Sequence, residues 1–485
     1  MRTKHFFYIF FIGLTFLSCE DTTDEGPIDD DIAIQDFLWK SMNSYYFWQE
    51  DVADLSDEKF EFQSELNDYL KDKTNIPSFF YDDLVNQYGT IDRFSWIVDD
   101  YIALEESFQG VNVSNGVDFG LFVLDNEDSR VFGVVRYILP GSDAAGKDIV
   151  RGELFNRVNG TELNRTNYQS LLFGNDVYSL GFANYNNGDP VEIDKEVSLV
   201  KDRYTENPVF INKTITVGDK KIGYLMYNSF TSSFDDELNQ AFGELKSQGI
   251  DELVLDLRYN GGGSVRTATY LGAMITGQFS GSLFSSENWN SKVMAYFDTL
   301  DEAERDSYLN TYFPDEIEGS STAINSLGLT KVYVITTRST ASASELIINS
   351  LKPYIDVVVV GSQGTGKFVA STTLYDSDDF TKGGANLAEH TWAIQPIILE
   401  EFNAQGVNNG IEGFLPDLEQ PEDYGNMGVL GEINEPLLKA AINDIVPFQA
   451  RASFSTEPLR QKLIGESKEN SPLYQKMITN KIIKK

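Results

Sequence analysis

The stretch KVYVITTRSTASASELIINSLKPYIDVVVVGSQGTGKF, residues 331–368, decides how the chain is organised. Residues 331–336 form a β-rich apolar run, and 355–360 form a second, short and continuous enough for a buried parallel strand. Between them Leu346, Ile347 and Leu351 fall at helical spacing, which predicts a helix over 344–351. Ser342 then sits at the start of that helix, where unpaired backbone N–H groups gather and a developing anion is favoured. Lys367 lies in the loop after the second strand. A strand–helix–strand unit folds both ends onto one edge of a sheet, so Ser342 and Lys367 are expected to meet.

A serine hydroxyl becomes a useful nucleophile when a neighbour takes its proton. A lysine can do so only when burial has made it neutral. Other readings stay open on the pattern alone. Ser342-x-x-Glu345 is also a helix capping box, and Lys367 is also an ordinary loop lysine. Residues 361–367, GSQGTGK, follow a strand and match a phosphate-binding glycine loop as far as the lysine. That match stops at Phe368, where a magnesium-binding Ser or Thr would stand, and at 369–375, which reads VASTTLY, a strand and not a helix.

Ala341-Ser342-Ala343-Ser344-Glu345, with a Gly-Lys pair following in 366–367, resembles the C-terminal processing (tail-specific) serine peptidases. The resemblance implies that Ser342 is the nucleophile and Lys367 the general base. Thr340 stands where the first serine of that run usually does, and Ser371 stands where many members carry glutamine. A second signature, DLR-x-N-x-GG, is met by residues 256–263, with Gly261 where proline is common. Read without the family, three glycines after a strand are an anion nest or a tight turn needing positive φ. With it, Gly262 or Gly263 and the N–H of Ala343 form an oxyanion hole. Asp256, Arg258, Glu345 and Ser371 become supporting residues beside the site. Residues 410–417, GIEGFLPD, resemble the family's closing G-x-x-PD element.

Arg2 and Lys4 precede an apolar run over 6–17, too short to span a bilayer, which predicts a signal peptide over 1–18. Phe16-Leu17-Ser18-Cys19 resembles a bacterial lipobox, so Cys19 is the expected lipidation site; a plain secretory signal with an incidental cysteine is the other reading. Cys19 is the only cysteine, so no intrachain disulfide can form. The acidic stretch 20–31 reads as a disordered tether, similar to the segment after the cysteine in surface lipoproteins of Bacteroidetes-type bacteria. The expected location is therefore the bacterial cell envelope at the outer membrane, with membrane contact through the lipid anchor only. With 38 basic against 75 acidic residues the net charge is −37. So acidic a chain repels nucleic acid, and no nucleic-acid partner is expected.

Residues 32–105 read as helical, because Ile34, Phe37, Leu38, Met42, Tyr45 and Tyr46 recur at three- and four-residue steps. Their aromatic cluster suits a small helical core or an aromatic ligand site. The region is similar to the helical leader of the same peptidases. Residues 106–205 turn β-rich, and the ordered segments at 116–123, 130–139, 140–145 and 152–160 look like a PDZ domain. The resemblance makes Asp118, Phe119, Gly120 and Leu121 the loop that captures a peptide C-terminus by its carboxylate. Residues 208–450 are the expected crotonase/ClpP-like α/β peptidase domain. The segment 451–485 carries eight basic and three acidic residues, and is expected to cap the domain, bind an acidic partner or hang free. His5 would leave with the signal, so His390 is the one histidine of the mature chain, and neither a cofactor nor a zinc site is expected.

The fold class expected is α+β multidomain: a helical N-terminal leader, a PDZ domain and an α/β serine peptidase domain. The expected function is a serine-type endopeptidase with a Ser/Lys dyad, acting on exported proteins or peptides and recognising C-terminal segments through the PDZ domain. The rival is an inactive PDZ peptide-binding lipoprotein on a degenerate peptidase scaffold.

Overall fold

The computed structural model describes residues 30–124, 129–186, 189–320, 322–446 and 461–483. The expected signal peptide, Cys19 and the acidic tether lie outside these residues, apart from the tether's last two positions.

The continuous apolar runs build the parallel centre of a six-stranded sheet. Its strands lie in the order Val209–Val217, Lys220–Tyr227, Glu252–Asp256, Lys331–Thr336, Asp356–Gly361 and Leu418–Glu419. The first pair is antiparallel and the rest are parallel. Side chains alternate across a strand, so Val332 and Val334 face one layer while Tyr333 and Ile335 face the other, all of them buried. The first layer holds the helices Asp235–Gln248, Val265–Thr276 and Ala343–Leu351, packed through Leu238, Phe242, Leu271 and Ile347. The second is the helix Pro436–Ile445, packed through Leu437, Leu438 and Ile442. A parallel sheet covered on both faces has no solvent-facing rows, which is why its strands read as unbroken apolar runs.

The N-terminal region is helical in short pieces, among them Ala33–Tyr45, Gln63–Leu70 and Tyr101–Phe108. Phe37, Leu38, Met42, Tyr45 and Tyr46 are buried in the same core that underlies the first layer of helices. Of the two readings of this aromatic cluster, the structure has the packed core.

Between these regions stands an antiparallel sheet in the order Gln461–Glu466, Val117–Leu124, Phe132–Ile138, Leu154–Val158, Val177–Asn186 and Asp189–Val200. It has its own core around Phe119, Val135, Phe155, Leu180 and Phe182. One expectation is corrected here. Asp118, Phe119, Gly120 and Leu121 lie inside the strand Val117–Leu124 and not in a loop. Of the three readings of the basic C-terminal segment, residues 461–483 follow the capping one: Gln461–Glu466 supplies the strand that covers this sheet's edge. The segment then adds Met477–Ile478 to a third sheet, between Gly263–Ser264 and Val369–Ser371.

Candidate active site

The six-stranded sheet carries the site at the carboxyl ends of its parallel strands. After Glu252–Asp256 the chain turns through Asn260, Gly261, Gly262 and Gly263; after Lys331–Thr336 it turns into the helix Ala343–Leu351. Ser342 holds φ +66° and ψ −120°, a backbone conformation that costs a non-glycine residue about 1–3 kcal/mol. The strain persists because neighbours fix both sides of the turn. The Ala341 N–H and the Ser344 hydroxyl both donate to the Asn260 carbonyl, at 3.2 and 3.0 Å.

The capping box is made on one side only. The Ser342 N–H donates to Glu345 Oε2 at 3.2 Å, but the Glu345 N–H goes to the Ser342 carbonyl at 2.8 Å. Ser342 Oγ is left buried and without a partner among the described residues. An orphan hydroxyl in a covered site is expensive to keep unless chemistry uses it.

Glu345 binds the lysine loop to the serine turn. Its carboxylate also accepts from the Gly366 N–H at 2.9 Å and from the Lys367 N–H at 2.8 Å. Burial pushes this carboxyl up, and the backbone donors offset part of the rise. Lys367 itself is fully buried, its ammonium 4.6 Å from the centroid of the Phe94 ring. Desolvation, with the cations of Lys476 and Arg93 nearby, holds its pKa well below the ordinary lysine value. Lys367 Nζ donates to the Gln475 carbonyl at 3.0 Å, and no hydrogen bond joins it to Ser342 Oγ.

The glycine turn presses on the serine. A methyl group on Gly262 would lie 2.6 Å from Ser342 Cβ, and Gly262 and Gly263 hold φ +106° and +134°. The Gly262 N–H is already used, donating to Asn260 Oδ1 at 2.9 Å. The Gly263 N–H instead meets a carbonyl, that of Lys476, at 2.6 Å. Of the two glycines, Gly263 is thus the one whose N–H faces an acyl oxygen. Ala343, buried beside Ser342, begins the helix, where N–H groups are unsatisfied by the helix itself.

Asp256 and Arg258 lie beneath this turn. Arg258 is completely buried and donates to Asp256 at 2.7 Å and to Glu435 at 2.6 Å, while Asp256 accepts from the Tyr224 hydroxyl at 2.6 Å. Ser371 faces the C-terminal segment: its hydroxyl donates to the Met477 carbonyl at 3.3 Å. His390 is engaged with Asp376 at 2.9 Å and packs near Phe37. Among the described residues no group of three His, Cys, Asp or Glu side chains could hold a metal ion. A cavity of about 510 Å³ opens beside Gly262, lined by Arg136, Tyr204, Glu206 and Tyr259 and by residues 466–468 and 470–474.

Sequence reasoning missed Asn260, which ties the glycine turn to both Tyr227 and the serine turn. The asparagine of the DLR-x-N signature was the available signal. It also missed Phe94, Trp96, Gln475 and Lys476, which lie far from the signatures in sequence.

A parallel α/β layer with a strained serine turn, a buried lysine and a glycine turn defines the class, and family models agree with it. The model of the Peptidase S41 N-terminal domain matches residues 33–96 and that of Peptidase family S41 matches 221–409, together just over half of the chain. The chain belongs to peptidase family S41. It is similar to a crystallised Bacteroides fragilis chain assigned to the S41 proteases, at 25% identity and a TM-score of 0.63, covering 85% of this chain and 98% of that one. It is also similar to the carboxyl-terminal-processing protease of Picosynechococcus sp., 22% identical over 261 residues, covering 54% of either chain. The chloroplastic C-terminal processing peptidase of Tetradesmus obliquus is 26% identical over 253 residues, covering 50% of this chain and 48% of that one. The chain spans about half the length of these curated relatives. The segment 461–483 falls outside both matched ranges.

Proposed function

We propose that the chain is a serine endopeptidase of exported proteins or peptides. The observation that carries the reading is the orphan Ser342 hydroxyl at a strained turn, held by one carboxylate to the loop of a buried lysine. Ser342 Oγ attacks the scissile carbonyl carbon, and its proton passes to neutral Lys367 Nζ. The negative charge that develops on the carbonyl oxygen is met by the N–H groups of Gly263 and Ala343. Lys367 then returns the proton to the leaving amine as the peptide bond breaks. Water then attacks the acyl-enzyme as Lys367 takes its proton, and Lys367 gives that proton to Ser342 Oγ as the C–Oγ bond breaks and the carboxyl product leaves.

The antiparallel sheet acts as a PDZ-type module for an extended peptide; the strand that carries Asp118, Phe119, Gly120 and Leu121 is here paired on its outer side with the chain's own Gln461–Glu466. The names of the relatives support C-terminal segments as the substrate. Export and anchoring through lipidated Cys19 complete the reading.

The test is cleavage of an unfolded protein by the mature chain, followed by mass spectrometry. Ser342→Ala and Lys367→Ala should each lower kcat by about a thousandfold or more, and the double variant should lose little further because the pair acts as one unit. Near-full activity in Lys367→Ala would refute the dyad. Cleavage surviving in Ser342→Ala would refute the serine mechanism.

A further inference from the structure

The C-terminal segment follows one path through the molecule, and that path crosses the candidate site. Gln461–Glu466 adds antiparallel to the edge strand Val117–Leu124, Lys462 opposite Val123 and Glu466 opposite Gly120. Glu466 accepts from Arg136 at 2.9 Å and from the hydroxyl of Ser339 on the serine turn. The Ser467 N–H donates to the Phe119 carbonyl at 2.9 Å. After a turn along the cavity, the Gln475 carbonyl takes up Lys367 Nζ and the Lys476 carbonyl takes up the Gly263 N–H. The Lys476 ammonium lies 3.8 Å from the Trp96 ring centroid and donates to the Phe94 carbonyl at 3.0 Å.

Each of these contacts is one that a bound peptide would make: main chain on a sheet edge, a carbonyl on the donor awaiting an oxyanion, a side chain in a pocket. The proton transfer is blocked at the same time. Lys367 is turned to Gln475, and Ser342 Oγ has no base to receive its proton. The segment is buried at both ends and less covered between them, where Lys468 pairs with Glu206 at 3.0 Å. Gly465, Glu466 and Met477 are buried, whereas no residue from 467 to 476 is fully covered.

We propose that segment 467–476 is an intramolecular competitor for the substrate cleft, and that the peptide which displaces it is an extended segment seating a lysine over Trp96. That the displacing peptide is a substrate rests on the peptidase reading.

Full-length Ser342→Ala protein, which binds without turnover, is titrated with a fluorescein-labelled peptide of sequence 467–480 and followed by anisotropy. Adding Lys476→Ala removes the lysine contacts of the internal segment and should tighten peptide binding about tenfold, the effect of weakening a competitor by one charge-assisted contact. Adding Met477→Ala instead loosens the anchor and should tighten binding in the same direction. A peptide with alanine at the position of Lys476 should bind about tenfold more weakly than the native peptide, for the same lost contact. Equal affinities across the three proteins overturn the competitor, and equal affinities of the two peptides overturn the lysine seat. In the Ser342 protein Met477→Ala, which leaves the Lys476 charge beside Lys367 in place, should raise kcat/KM on an unfolded protein. Anisotropy shifts without any cleavage would sink the peptidase reading and leave the competitor standing. Cleavage without shifts would do the reverse.

Discussion

Lys367 has no exposed surface, and its side-chain nitrogen is met by the Phe94 ring and the Gln475 carbonyl. Desolvation is the first cause of its lowered pKa, followed by the repulsion of Lys476. Only the neutral amine can accept the Ser342 proton, so kcat/KM should rise with pH through this depressed pKa as a single proton is lost. The same shift bears on stability. Between the folded pKa and the ordinary value of 10.5 the unfolded chain binds more protons, so this lysine's contribution to stability rises with pH across that window. A pH–rate profile of wild type and His390→Gln tests the assignment. The rise should be identical in both, because His390 is occupied by Asp376. A rise that disappears with His390 would show that the base is not Lys367.

At the scale of an element, the helix Ala343–Leu351 positions the chemistry through one side chain. Glu345 sits in its first turn and takes the N–H groups of Ser342, Gly366 and Lys367. Two loops that follow different strands are thereby held to one carboxylate, which fixes the distance between nucleophile and base. Glu345→Ala should lower kcat about a hundredfold with KM changed little, since misplacing reacting groups by even 1 Å carries a penalty of that size. Glu345→Gln keeps one acceptor oxygen and should recover part of the loss. The comparison is made by steady-state kinetics on an unfolded protein. Equal kcat in wild type and Glu345→Ala would remove Glu345 from any positioning role.

At the scale of the molecule, Arg258 joins the central sheet to its last helix. It bridges Asp256 on the strand and Glu435 at the helix start, and the Glu435 carboxylate also accepts the Leu438 N–H at 2.8 Å. Burial alone would raise the Glu435 pKa, but the Arg258 guanidinium outweighs it and the carboxyl lies below its ordinary 4.5. This contribution to stability is present above pH 4.5 and is lost as pH falls through the lowered value. Arg258→Met should destabilise the fold by about 3–5 kcal/mol, because it leaves two carboxylates buried without their cation. Urea unfolding at neutral pH measures it. A loss under about 1 kcal/mol would mean that water or rearrangement replaces the bridge.

Some of this protein could be read from local chemistry. The strands Lys331–Thr336 and Asp356–Gly361 are legible because a strand buried on both faces must be apolar throughout. The positions of Ser342 and the glycine turn follow, since each lies directly after such a strand. Other features depend on partners distant in the chain. Whether Ser342 caps its helix or keeps a free hydroxyl turns on which oxygen the Glu345 N–H selects, and the backbone carbonyl wins. The segment 461–483 has lysines scattered among short apolar steps and no sustained period, so its own residues do not specify where it docks. Its place is set by the unpaired edge of Val117–Leu124 and by acceptors at Phe94 and Glu206, which come together only when the three regions have packed. A backbone edge is recognised by its unpaired N–H and C=O groups, which every sequence carries, and so only the assembled fold determines which segment will occupy it.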